Sequence, residues 1–191
     1  MKCEQLPIAG SWIIDLPTFP DKRGHFQEFY KSSDVRESLK VEFEVCQSNV
    51  SLSKRGVFRG MHFSLDPKGQ EKIISCFSGS MIDVIVDTRI NSPSFGSTLT
   101  IELSQSTQKA IYLPAGIGHG FLSLDDYTIV NYLVSTEYDP SKEITFSAFN
   151  SGLLLDIPKM DYIQSEKDFN AVSFAELKET GQLPIYSGGF D

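Results

Sequence analysis

Two stretches decide how this chain folds: Gly56-Val57-Phe58-Arg59-Gly60-Met61-His62-Phe63-Ser64 and Pro114-Ala115-Gly116-Ile117-Gly118-His119-Gly120-Phe121. Between them they hold two of the three histidines in the sequence. Each sets one imidazole among apolar residues just beyond a glycine-marked turn, which is the pattern of a short strand. A divalent ion held by protein side chains needs three or four imidazole, thiolate or carboxylate ligands. Ser64 follows His62 by two residues, with Lys68 and Gly69 further on. A hydroxyl and a cation do not complete the shell of a divalent ion, so no metal is expected. What remains is a pocket built on His62, His119, Arg59 and Lys72, a set suited to acid–base chemistry on an anionic ligand.

Working outward, 191 residues fit a single domain spanning residues 1–191, with its core over residues 11–168. A formal charge of -8 and a pI near 4.9 argue against nucleic acid or an anionic membrane as the main partner. Cys3, Cys46 and Cys76 are odd in number and contain no Cys-x-x-Cys pair, so neither a disulfide framework nor a zinc knuckle is expected. Cys46 and Cys76 lie in apolar, strand-like surroundings and read as buried thiols. No signal peptide follows Met1, and no stretch approaches the ~20 apolar residues of a membrane span. The expected setting is cytoplasmic.

Turn residues recur often: Pro17, Pro20, Gly24, Pro67, Gly69, Gly79, Pro93, Gly96, Pro114, Gly116, Gly118 and Pro140. Between them lie short β-rich runs, namely Ser11–Leu16, Phe43–Ser51, Glu71–Phe77, Ser80–Asp87, Thr98–Leu103, Lys109–Leu113, Gly120–Leu124 and Thr128–Ser135. Short strands with frequent turns predict a sandwich or barrel rather than a βαβ fold. Helical pattern is sparse, confined to Lys31–Leu39 and to Ser173–Glu179, where Ser173 is placed to cap. From about Asp156 the chain turns polar and loop-like, an appendage expected to close the barrel.

Several residues invite two readings. A lone strand histidine is usually structural, yet Arg59 precedes His62 by three residues and Lys72 follows on the next strand. Cations nearby would hold His62 as a neutral base. Arg59 and Lys72 read either as a solvated rim or, given their apolar neighbours, as groups pointing into a pocket. Tyr132, within Ile129-Val130-Asn131-Tyr132-Leu133-Val134, is a core aromatic or a general acid whose pKa nearby cations lower. Arg23 is an exposed turn residue or a fork for a phosphate. Gln47 and Asn49 alternate on one strand and share a face, where two amides would need partners such as a polar ligand.

The spacing of the two histidine stretches is similar to that of the two cupin motifs, whose metal-binding members carry a second imidazole at the place of Ser64 and a carboxylate at the place of Lys68 and Gly69. A longer ordered set resembles one branch of that superfamily, the dTDP-4-dehydrorhamnose 3,5-epimerase family. It includes Phe19 with Asp21-x-Arg23-Gly24-x-Phe26-x-Glu28, Gln47-x-Asn49-x-Ser51, and Arg59-Gly60-Met61-His62. It continues with Gln70-x-Lys72, Gly79, Asp83-Val84-x-Val86-Asp87-x-Arg89 and Ser92-Pro93-x-Phe95-Gly96. It ends with Pro114-x-Gly116-x-x-His119, Tyr132, Tyr138-x-Pro140-x-x-Glu143 and Ser165-x-Lys167-Asp168.

The resemblance implies an all-β, cupin-type jelly-roll barrel with short helices, a homodimer, no metal and no cofactor. It implies epimerisation next to the ketone of a nucleotide-linked 4-keto-6-deoxyhexose, with a dTDP-sugar as substrate, in deoxysugar biosynthesis. His62 matches the general base, Asp168 the carboxylate that orients it, Lys72 the cation at the keto oxygen, and Tyr132 the acid on the opposite face. Arg59, Arg23, Gln47 and Asn49 match positions that hold pyrophosphate or sugar. Phe26, Glu28 and Tyr138 match further substrate contacts, the last two at the nucleoside end, and His119 lines the pocket. The chain departs from the family at Phe146–Gly152, where a Trp-x-Asp-Pro turn is common, and at Phe63-Ser64, where Tyr-Gln is usual. These changes leave the acid–base set intact and leave the nucleobase, the sugar and the carbons inverted (C3, C5 or both) open. A single-centre epimerase, a 3,4-ketoisomerase, a non-catalytic cupin that binds a sugar nucleotide or acts as a structural dimer, and a metal-dependent cupin oxygenase or isomerase are the rival readings.

Overall fold

The computed structural model describes residues 1–67, 69–150 and 152–188. Lys68, expected at the place of a metal-binding carboxylate, lies outside them. The first sheet contains β1 (Lys2–Gln5), β2 (Trp12–Asp15), β5 (Gln47–Ser53), β7 (Lys72–Ser78), β10 (Lys109–Leu113) and β12 (Thr128–Val134), in the order β1-β2-β10-β7-β12-β5. The second contains β6 (Phe58–Ser64), β8 (Ser80–Asp87), β9 (Thr98–Ser104), β11 (Ile117–Ser123) and β13 (Glu143–Thr145), in the order β13-β6-β11-β8-β9. A separate hairpin pairs β3 (Thr18–Asp21) with β4 (Gly24–Gln27). The all-β jelly-roll expectation holds, and the two sheets face one another without closing into one continuous ladder.

Strand alternation explains the layers. Ile74 and Cys76 on β7, Ile111 and Leu113 on β10, Met81 and Ile85 on β8, and Ile117 and Phe121 on β11 meet between the sheets. The intervening residues do not face solvent. Ile73, Ala110, Tyr112 and Leu133 pack outward against Val35, Leu39, Val41 and Phe43, which belong to α1 (Ser32–Leu39) and the segment after it. On the other side, Phe58, Met61, Phe63, Val84, Val86 and Leu122 are covered by Phe146, Ala148, Phe174, Leu177 and Leu183. The C-terminal appendage therefore backs the outer face of the second sheet instead of closing a barrel. Strands covered on both faces read as nearly continuous apolar runs, as β7 and β8 do.

Most expected elements are present within a few residues. The expected strand from Phe43 starts only at Gln47, because Phe43 turns outward against Tyr30 and Tyr112 and its carbonyl accepts from the Tyr30 hydroxyl at 2.8 Å. Cys46, just before that strand, is exposed, whereas Cys76 is buried as expected. Helix α3 (Phe174–Glu179) is capped by Ser173, whose Oγ accepts from the Glu176 amide at 3.1 Å.

One irregularity matters for the site. Along β6 and β11, His62 pairs with His119 and Arg59 with Phe121, so Gly60 and Met61 together oppose the single residue Gly120. This is a β-bulge. The backbones approach closely there: a Cβ on Gly60, whose φ is +117°, would sit 2.6 Å from the Gly120 Cα. A Cβ on Gly120 would sit 2.7 Å from the Arg59 carbonyl oxygen. Neither position tolerates a side chain without movement of a strand.

Candidate active site

The apolar filling between the sheets gives way to polar side chains where β7 begins and β12 ends. The inward-facing positions continue the same alternation: Lys72 before Ile74, Tyr132 after Val130, Asp83 between Met81 and Ile85, and His119 between Ile117 and Phe121. Lys72, Tyr132 and His119, together with His62, Arg59, Asn49, Tyr138 and Asp168, line a cavity of about 360 Å³, and Asp83 lies buried behind its wall against His119. The first sheet supplies Lys72, Tyr132 and Asn49, and the facing sheet supplies Arg59, His62, His119 and Glu143.

His62 Nε2 lies 2.6 Å from Asp168 Oδ1. Asp168 comes from α2 (Glu166–Phe169), a single turn that sequence pattern did not reveal. The turn is capped by Ser165, whose Oγ accepts from the Asp168 amide at 3.1 Å. Burial works to raise the Asp168 carboxyl, but the hydrogen bond and charge of His62, with help from Ser165 and the Gly60 backbone, hold it below the usual carboxylate range. The partner of His62 is thus an anion that fixes the ring. The cation Arg59 turns away, its Nε donating to Ser53 Oγ at 3.1 Å.

Lys72 is buried, and burial pushes its ammonium down to about 8 against the opposing pull of Glu143 and Asp83. Among the described residues, its Nζ makes no hydrogen bond, which leaves it free for a ligand oxygen. Tyr132 lies beside Asn49 in the β12–β5 ladder. Its phenol is not lowered as the sequence suggested. Burial first, then Glu143, raises it, and Arg59 offsets only part of this, because the nearest charges on the cavity are mixed in sign. The phenol therefore keeps its proton at neutral pH, which suits a donor.

Gln47 and Asn49 do share a face. Gln47 Nε2 donates to Asn49 Oδ1 at 2.7 Å, and Gln47 Oε1 accepts from the Tyr138 amide at 2.8 Å, so Gln47 braces the rim from behind. Three expected substrate contacts lie elsewhere. Arg23 and Phe26 sit on the β3–β4 hairpin and Glu28 just after it, outside the cavity of their own chain. Arg23 donates from Nε to Asp21 Oδ2 at 3.0 Å, and Phe26 is 66% exposed.

Sequence reasoning gave no role to Asp83, Glu143 or Lys167. Lys167 Nζ donates to Glu143 Oε1 at 2.6 Å on the cavity wall. His119 Nε2 lies 2.8 Å from Asp83 Oδ2. The signal for Asp83 was available, since an acid that alternates with Met81 and Ile85 must enter the core.

Comparison with known proteins accords with this geometry. The family model described as dTDP-4-dehydrorhamnose 3,5-epimerase matches residues 5–176. The chain is 37% identical over 188 residues to the dTDP-4-dehydrorhamnose 3,5-epimerase of Mycolicibacterium smegmatis, covering 98% of this chain and 92% of that one. It is similar to a 4-keto-6-deoxy sugar epimerase from the novobiocin biosynthetic gene cluster of Streptomyces spheroides, with a TM-score of 0.94, 36% identity, and coverage of 98% and 94%. It is also similar to a 3'-monoepimerase from Streptomyces bikiniensis in complex with dTDP-quinovose, with a TM-score of 0.91, 35% identity, and coverage of 95% and 92%. With the sheets, the histidine stretches and the match over most of its length in agreement, the chain belongs to the dTDP-4-dehydrorhamnose 3,5-epimerase family.

Proposed function

We propose that this enzyme epimerises a dTDP-linked 4-keto-6-deoxyhexose at C3, at C5 or at both, by deprotonation beside the ketone and reprotonation from the other face. One observation carries this reading. His62 with Asp168 stands on one sheet and Tyr132 on the facing sheet, across a single cavity that also holds the free ammonium of Lys72. A sugar ring lying between the sheets offers one face to each.

His62, oriented by Asp168, takes the proton from the carbon next to the ketone. Charge moves onto the ketone oxygen, where Lys72 stabilises the enolate in a site shielded from water. Tyr132, held neutral by burial, delivers a proton to the opposite face, and the carbon is inverted. Oxidation state does not change, so the chemistry calls for no redox partner. Arg59 on the rim suits the pyrophosphate, and the exposed ring of Tyr138 suits the nucleobase.

The working form in this reading is a homodimer. Phe19 and Phe26 of the hairpin and Val50 and Leu52 of β5 are exposed apolar side chains, and a second copy would cover such a surface. Packing of that kind would carry Arg23, Phe26 and Glu28 to the partner's cavity. Three free thiols fit a reducing, cytoplasmic setting.

Incubation with dTDP-4-keto-6-deoxyglucose in deuterium oxide tests the reading. Deuterium should enter at C3, C5 or both, and His62→Ala should abolish it. Binding without exchange would mark a non-catalytic binder, and exchange with migration of the ketone would mark a ketoisomerase.

A further inference from the structure

The mechanism leaves one buried acid unused. Asp83 is 0% exposed, its Oδ2 lies 2.8 Å from His119 Nε2, and among the described residues its Oδ1 is buried without a hydrogen-bond partner. A carboxylate removed from water is costly unless its oxygens are paired. Its neighbours on the same face of β8, Met81 and Ile85, are both apolar core residues. Phe63 and Phe146 would fill such a space more cheaply, as they do on the outer side of the same sheet. The acid is therefore held for what it does to the groups around it.

We infer that Asp83 is a positioning residue: its carboxylate fixes the ring and donor nitrogen of His119 and supplies the buried counter-charge for Lys72. The inference rests on the epimerase reading for its substrate, and it goes beyond that reading in naming what prepares the enolate side of the pocket. His119 and His62 are direct partners across the β11–β6 ladder and both line the cavity, so two histidine–carboxylate couples stand side by side, one carboxylate on the cavity and the other, Asp83, behind its wall. Their carboxylates differ in origin. Asp168 reaches in from a surface turn, whereas Asp83 belongs to β8, a strand paired on both sides by β11 and β9, and cannot move without the sheet. With Nε2 committed to Asp83, His119 can turn only its Nδ1 edge toward a ligand.

The same carboxylate acts on Lys72. Burial disfavours the ammonium, and Glu143 and then Asp83 are the two anions that favour it. Glu143 is already engaged by Lys167, so Asp83, with one oxygen unpartnered, is the less shared of the two. The remaining charged or titratable groups on the cavity are His62 and Arg59 from β6, Tyr132 from β12, Tyr138 from the following loop, and Asp168 from α2. Replacing Asp83 leaves all of these in place.

The test compares wild type with Asp83→Asn, an isosteric change that removes the charge. In wild type without substrate, nitrogen-15 NMR should show a proton on His119 Nε2 that exchanges slowly with solvent. The chain contains three imidazoles, so assignment through His119→Gln is direct. In Asp83→Asn that protection should be lost, and the Lys72 side chain should release its proton below the wild-type value of about 8. Turnover should then fall by about tenfold or more in kcat, with KM little changed and the alkaline limb of the rate profile moved to lower pH. An unprotonated His119 Nε2 in wild type overturns the proposal, and that measurement stands even if Asp83→Asn does not fold. A folded variant in which the Lys72 titration and the alkaline limb stay put also overturns it. Failure of the epimerase reading would appear separately, as no deuterium exchange by wild type on any 4-keto sugar nucleotide.

Discussion

The cavity and the β3–β4 hairpin carry equally good family signatures in sequence, yet the fold treats them differently. In the cavity, ladder register within one chain sets the functional side chains in place, with His62 opposite His119 and Tyr132 opposite Asn49. On the hairpin, the guanidinium of Arg23 turns back to its own neighbour Asp21, and Phe26 leans on Phe19 at 6.3 Å between ring centroids, both largely exposed. One set of candidate residues is held on paired strands around a cavity, and the other is left on an exposed hairpin. The consequence is a division of labour: substitutions in the cavity should act on kcat, and substitutions in the hairpin on KM.

The largest effect should come from His62→Ala, which removes the base. Deuterium uptake and turnover should drop by roughly a thousandfold or more, with the folded state retained by circular dichroism. Tyr132→Phe should cost about a hundredfold in inverted product while His62-dependent solvent exchange persists, since only the returning proton is lost. The hairpin is probed by Arg23→Ala, expected to raise KM about tenfold with kcat nearly unchanged. A matching loss in kcat would break the division and make the hairpin part of the chemistry. The smallest effect is on pH. Lys72 must be charged to hold the enolate, and its ammonium is present below about 8 and lost above it. Raising the pH from 7 to 8 should therefore roughly halve kcat, with about a fivefold loss over the next unit and a near tenfold loss per unit beyond it. A flat profile through that range would take Lys72 out of the reaction.

The sequence made the cavity more legible than its supports. Lys72, Tyr132 and the Gln47–Asn49 pair could be placed because each occupies an inward position of a regular strand. Asp168 was found by resemblance alone, since a one-turn helix leaves no periodic trace. Asp83 was visible as an acid in an apolar run but gained a partner only when β8 and β11 were seen side by side. The reading of Tyr132 counted nearby cations and missed Glu143, which reaches the cavity from a three-residue strand with no pattern of its own. The hairpin residues were the hardest case, because Arg23, Phe26 and Glu28 lie outside the cavity of their own chain and no strand register ties them to it. Arg59 was assigned to the pocket correctly for an incomplete reason: three residues from His62, it would face the opposite side of an uninterrupted strand.

The bulge at Gly60 and Met61 resolves that conflict. Strand alternation is a two-beat rhythm, and the extra residue shifts β6 by one beat between its halves. Phe58 and Met61, also three apart, consequently share the outer cluster just as Arg59 and His62 share the cavity. Loss of one residue at that point would leave His62 against Asp168 but exchange the roles of Phe58 and Arg59, sending a ring inward and a guanidinium into an apolar layer. Length changes elsewhere in the loops can be absorbed as slack. At this position the chain counts in parity, and the ability to hold a substrate and the ability to transform it are kept in step by a single residue.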